Sequence, residues 1–172
     1  MTMSGVSSVA DLSMAFISES RMLLTTEFLP KIERAVGALG DADVWWRPNE
    51  ASNSVGNLLL HLCGNVSQWI LEGVGGRPFE RHRQEEFDER RPLAAALLLA
   101  RIRSVMQEAD EVLGALEPGA LLETRRIQGY DTTVFAAVYH VVEHFSMHTG
   151  QIIWIAKART GTDLSLWQPP QP

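Results

Sequence analysis

Three histidines, His140, His144 and His148, recur at four-residue intervals within residues 139–151. On an α-helix, residues four apart lie one above the other on one face. Two imidazoles so placed can grip a single divalent cation, as in other helical His-x-x-x-His sites. Neighbouring members of the series are separated by ~6 Å of helix rise and the outer two by ~12 Å. His140 and His148 therefore cannot share an ion, and one adjacent pair must be chosen. Gln151, one turn beyond His148, can hold that ring through a hydrogen bond. Gly150 would let another backbone approach closely. Both point to His144 with His148 as ligands, and leave His140 a supporting or structural role.

A third ligand is available in a separate helical segment. Asn57, His61, Asn65 and Gln68 recur at helical spacing through the apolar run Leu58, Leu59, Leu60, Leu62, Val66, Trp69 and Ile70. A buried face carries polar groups only when they are paired. His61 as a ligand, supported by Asn57 and Asn65, accounts for that stripe. Each histidine alone has a plainer reading, as a hydrogen-bonded core residue or a solvated one; it is the combination that points to a three-histidine metal site. Glu143, beside His144 in sequence, is the candidate carboxylate for moving protons, against the plainer reading of an exposed or salt-bridged side chain. Cys63 is two residues from His61, so it points elsewhere and reads as a small core residue. His82 lies in a charged segment and reads as solvated.

The elements that must position these residues are helical. The first helix spans roughly residues 11–39, with Gly40 just past its end and Pro30 inside it. An interior proline removes a backbone hydrogen bond and clashes with the preceding turn, which predicts a kink. Residues 41–53 form a loop, and Trp45 and Trp46 within it cap the bundle end. A second helix starts near Ser54, a good N-cap, and stops at the glycines of residues 73–76. Residues 77–91 are strongly charged and read as a long loop or short irregular helix with a solvated surface. A third helix runs from Pro92, suited to a first turn, to Leu116. Residues 120–130 connect it, with a little extended structure, to a fourth helix that begins at Asp131 or Thr132 and stops before Gly161. The tail from Trp167 is proline-rich and loosely held. Four long helices with one long second-to-third connection describe an all-α four-helix bundle, and bundles build metal sites from side chains on facing helices.

Composition narrows the classes further. The 172 residues, 45% of them apolar, fit one soluble globular domain covering residues 1–172. A net charge of −6 argues against nucleic-acid binding, which asks for a basic face. No apolar run approaches the ~20 residues that span a bilayer, and no secretory leader is visible at the N-terminus. A single cysteine, Cys63, forms no internal disulfide, consistent with a cytoplasmic protein.

The combination of His61 with His144, His148, Gly150, Gln151 and Ile152 resembles the DinB-like, or YfiT-like, superfamily of metal-binding four-helix bundles. The segments Trp45-Trp46-Arg47-Pro48, residues 52–65, and Arg81-His82-Arg83-Gln84-Glu85-Glu86-Phe87 resemble a bacterial subfamily of that group, and the likeness covers roughly residues 12–158. The resemblance implies a bundle with one long crossover and a zinc or nickel ion held by His61, His144 and His148. It implies a homodimer, and a small-molecule substrate rather than DNA. Relatives in the superfamily include bacillithiol transferases, a mycothiol-dependent maleylpyruvate isomerase and metal-dependent hydrolases.

Three neutral imidazoles leave a position open on the ion. Such an ion can lower the pKa of a water to about 7 or hold a thiol as thiolate. The first path gives a hydrolase, the second a transferase using a low-molecular-weight thiol as cosubstrate. The alternative is a non-catalytic, metal-stabilised binding protein, dimeric and stress-related. A site closed by a fourth protein ligand would favour that alternative.

Overall fold

The structure, a computed structural model, describes residues 8–167. The readings of the extreme N-terminus and of the tail beyond Trp167 concern residues outside that range.

The first helix, α1 (residues 9–37), starts two residues earlier than its apolar pattern predicts. Ser8 caps it: its hydroxyl accepts from the Asp11 amide, and the Asp11 carboxylate accepts from the Ser8 amide. Pro30 is accommodated by a π-helical stretch, Leu23–Phe28, just upstream. There the Leu29 amide donates five residues back, to the Leu24 carbonyl. The wider turn makes room for the proline ring, and Pro30 then sits in the first turn of a new α segment, Leu29–Gly37, where its missing N–H costs little. The stretch also carries the buried side through, so that Ile17 and Ser20 before it, Leu24 within it, and Ile32, Ala35 and Val36 after it all face the core. Leu12, in the first turn, is 70% exposed.

The loop expected after α1 contains a helical turn, α2 (Asp41–Val44). Gly40 serves as its N-cap at φ −76°, so the glycine's left-handed freedom goes unused. Next is α3 (residues 55–74), an α-helix Val55–Val66 continued by a π-helical stretch, Ser67–Val74. Every residue of Val55–Val66 is buried, which marks α3 as the central helix of the bundle. Ser54 and Asn57 close a reciprocal cap at its start, and Gly56 admits the Trp45 indole, which would lie 2.7 Å from any added Cβ.

The charged crossover holds a short helix, α4 (Arg83–Asp88). Pro92 does not open the next helix. α5 (Ala95–Gly114) begins three residues later, where the Asp41 carboxylate accepts from the Ala95 amide at 2.9 Å. A 3-10 turn, Pro118–Leu122, leads to a hairpin of β1 (Thr124–Ile127) and β2 (Tyr130–Thr133), antiparallel with Ile127 opposite Tyr130. Its turn residues, Gln128 and Gly129, both have positive φ, at 52° and 81°, the geometry that matches strand twist in two-residue hairpins. Because residues 130–133 pair as a strand, the last helix, α6 (Val134–Thr160), starts later than its spacing predicts, with Thr133 capping the Ala136 amide. It ends at Gly161, φ +64°, as expected of a left-handed C-cap.

The four long helices form the bundle, with α3 packed on α5, α6 and the short α4. Ile127 docks the hairpin against Gly73 at the far end of α3. Cys63 is a buried core residue whose thiol burial pushes up to about 12. No described helix is long and apolar enough to cross a membrane.

Candidate metal centre

α3 and α6 run antiparallel and present their polar residues in matching order. His61 meets His144, with the two Nε2 atoms 2.9 Å apart, and one turn along Asn65 meets His140 at 3.4 Å. His148 joins the first level. One nitrogen from each of His61, His144 and His148 lies within 4.8 Å of the other two. Ring centroids are 4.4–5.1 Å apart with interplanar angles of 69–87°, so the rings meet edge-on around a common point.

Hydrogen bonds on the outer nitrogens set which atoms face that point. Glu86 Oε2 is 2.9 Å from His61 Nδ1. A carboxylate accepts, so His61 carries its proton on Nδ1 and its Nε2 lone pair faces inward. Arg81 Nη2 is 3.1 Å from the same Nδ1, but two donors do not bond. Arg81 instead grips the Glu86 carboxylate with both arms, at 2.7 and 2.8 Å. Gln151 Oε1 accepts from His148 Nδ1 at 2.7 Å, which likewise turns the His148 Nε2 lone pair inward. That atom is buried and has no hydrogen-bond partner among the described residues. A buried acceptor without a partner is costly, and a cation removes the cost. Zn–N bonds of about 2.0–2.1 Å require neighbouring ligand nitrogens ~3.3 Å apart in a tetrahedral site. Here the His61 and His144 nitrogens are 2.9 Å apart and no pair among the three is separated by more than 4.8 Å. The residues fit a divalent cation.

Electrostatics agree. Burial, then the neighbouring His148, His61, His140 and Arg81, push His144 down to about 3. Burial also lowers His148, against the opposing pull of the Gln151 hydrogen bond, and lowers His140. Neutral imidazoles are the form that binds metal. Burial alone would raise Glu86, but hydrogen bonds from Arg81 and His61 outweigh it and hold the carboxyl below its ordinary range.

The other sequence candidates fall into place around the three. Asn57 makes no hydrogen bond to a histidine among the described residues. Its amide donates to the carbonyls of Glu86, Phe87 and Glu89, so it holds α4, and with it Glu86, against α3. His140 is half-buried, leans on Trp69 with centroids 4.3 Å apart, stacks along His144 and lies outside the three-nitrogen group. Asn65 reaches His140 and leaves its own carbonyl oxygen unpaired. Glu143 is exposed, with no hydrogen bond to the histidines among the described residues; its charge acts on His140. His82 is exposed as expected. Gly150 meets no other backbone: among the described residues, nothing lies within 4 Å of where its Cβ would be.

Arg81 and Glu86 are the residues that sequence reasoning missed. They sit in the run expected to be solvated, yet their side chains are 3% and 10% exposed. A buried ion pair contributes little net stability, so its place behind His61 points to a positioning role. One signal was visible: Gly64, in the middle of an apolar helix. A Cβ there would lie 2.0 Å from Glu86 Oε1, and the missing side chain is what admits the carboxylate.

Fold and site together define a DinB-like helical bundle with a candidate three-histidine metal centre. The chain belongs to the family described as a protein of unknown function, DUF1572, whose model matches residues 11–169. Among solved structures it is similar to a DinB-like protein from Bacillus cereus ATCC 10987, with 18% identity over 81% of this chain and 89% of that one and a TM-score of 0.64. It is also similar to a conserved protein from Enterococcus faecalis, with 15% identity over 91% of this chain and all of the other and a TM-score of 0.63. At these identities the likeness is one of fold. No curated protein matches the chain.

Proposed function

We propose that this protein is a metal-dependent enzyme acting on a small molecule, with His61, His144 and His148 holding zinc or nickel. The observation that carries the reading is the inward convergence of three imidazole nitrogens, one of them the buried, unpartnered His148 Nε2, with tautomers set by Glu86 and Gln151. A bound cation would supply Lewis acidity, lowering the pKa of a water or of a low-molecular-weight thiol. The chain's own residues do the rest. Glu86, clamped by Arg81, orients His61 from behind; Gln151 orients His148. Phe87 lies against the His61 ring, with centroids 4.7 Å apart, and shields that side from water. Three protein ligands and not four favour an open, reactive site over a closed structural one. Since Glu86 is committed to Arg81 and His61, Glu143 is the carboxylate left to carry protons.

Metal analysis of purified variants tests the ligand set. His61→Ala, His144→Ala and His148→Ala should each lose most of the bound metal, while His140→Ala and His82→Ala keep it. Equal loss from His140→Ala would break the assignment. Metal-loaded protein should then be offered ester and amide substrates, and separately bacillithiol, mycothiol or glutathione with an electrophile such as monochlorobimane. Turnover that needs thiol and metal together identifies a transferase; turnover with metal and water alone identifies a hydrolase.

A further inference from the structure

One turn beyond the triad, toward the C-terminal end of α6, the stripe carrying His144 and His148 continues into Gln151 and Ile155. There it faces Leu58 of α3 and the loop between α2 and α3, and the three enclose a cavity of about 530 Å³, a volume suited to a small organic ligand. Pro48, Leu58 and Ile155 give it apolar walls, and Met147 and Trp154 stand exposed on it. Among the described residues, no charged side chain lines it.

Three features mark the cavity as built for a ligand. Gly150 lies in the interior of α6, where glycine costs about 1 kcal/mol relative to alanine. A close approach by another element would explain it, and there is none: nothing lies within 4 Å of a Cβ at that position. What the missing side chain does is keep the cavity wall open. Trp154, 63% exposed, offers an indole face for a flat ring to stack on. Gln151 lines the cavity and gives its Oε1 to His148; its NH₂ group has no partner among the described residues and is free to donate to a ligand.

We infer that this cavity binds the organic part of the substrate: a flat, uncharged, aromatic or conjugated molecule that presents a carbonyl-type acceptor to Gln151. A charged ligand would lose its hydration here with no counter-charge in return. Through Gln151 the acceptor lies one side chain away from His148. The assignment rests on the metal-centre reading, since it is the inward-facing His148 Nε2 that fixes which end of the Gln151 amide faces the ring.

Two coumarins test it. 7-Methoxycoumarin is flat, neutral and carries a lactone carbonyl; coumarin-3-carboxylate has the same ring system with an anionic charge. Full-length protein incubated with zinc is titrated with each and followed by fluorescence. The neutral probe should saturate, and the anion should bind at least tenfold more weakly. Gly150→Leu, which fills the cavity, and Trp154→Ala should each weaken the neutral probe at least fivefold while metal content stays as in the unmutated protein and the melting temperature does not fall. Equal binding of both probes, no saturation, or an unchanged affinity in Gly150→Leu would overturn the proposal. Metal content measured on the same samples separates the two readings. Protein that binds 7-methoxycoumarin through these residues but takes up no metal keeps the cavity and removes the metal centre; protein that loads metal and ignores the probe does the reverse.

Discussion

A carboxylate hydrogen-bonded to a ligating imidazole locks its tautomer and raises its basicity, and Glu86, 2.9 Å from His61, would stand in that relation to the proposed ion. Glu86→Gln keeps the shape and removes the charge. It should weaken zinc affinity roughly 10–100-fold, read by competition with a chromogenic chelator, with little change in the far-UV CD spectrum. An unchanged affinity would reduce Glu86 to a core-filling residue. The same cluster sets an acid sensitivity in the metal-free protein. His144 is pushed down to about 3, and His148 and His140 are lowered too, so below the ordinary histidine value of 6.5 the unfolded chain binds protons that the folded chain refuses. Stability therefore falls as pH drops from about 6.5 toward about 3. The depressed Glu86 carboxyl adds a loss of the same sign below its ordinary 4.5. Urea midpoints across that window should decline, and His144→Asn should flatten the decline. The converging histidines were legible because helical spacing is written into the sequence. Arg81 and Glu86 were not: in a charged run nothing periodic distinguishes a buried ion pair from a solvated one, and only Gly64 hinted at a neighbour.

The crossover between α3 and α5 works as a strap. Asn57 holds the backbone at the end of α4. Arg81 bonds to Gln68, which also accepts from Gln128 of the hairpin turn. At Gly64 the Glu86 carboxylate packs directly against the α3 backbone. Gly64→Ala places a methyl group 2.0 Å from Glu86 Oε1, so the carboxylate must leave His61. Overpacking of this kind costs about 1–3 kcal/mol, despite alanine's better helix propensity. Denaturant unfolding should show that loss, and metal affinity should fall with it; a stabilised variant with full affinity would mean that Glu86 has another way to reach His61. Gly150→Ala, with open space around the Cβ, is the matched control and should stabilise α6. The long helices and the caps Ser54 and Gly161 were readable from sequence. Boundaries shifted where a partner distant in the chain decided them: Asp41 caps α5 in place of Pro92, and pairing with β1 holds residues 130–133 out of α6. The π-helical stretch before Pro30 follows from the proline's geometry, but sequence pattern does not distinguish it from a kink.

The proposed ion would join α3 to α6 across 83 residues of sequence, at the contact between the central helix and the last one. The unfolded chain has no preformed site, so metal binding draws on the same free energy that folds the bundle. The crossover strap, the hairpin and both helices around the triad should then be stabilised together, because the ligands come from the bundle core and not from a loop. At a free metal concentration 100 times Kd the gain is about 2.7 kcal/mol. For a chain of this length each kcal/mol raises Tm by roughly 2–4 °C, so zinc or nickel at that concentration should raise Tm by roughly 5–10 °C. Magnesium, which prefers oxygen ligands, should do nothing comparable. Calorimetry with and without chelator measures the shift, and His148→Ala should abolish it while retaining a cooperative transition. A Tm indifferent to zinc and nickel in the unmutated protein would show that the three imidazoles meet without holding an ion.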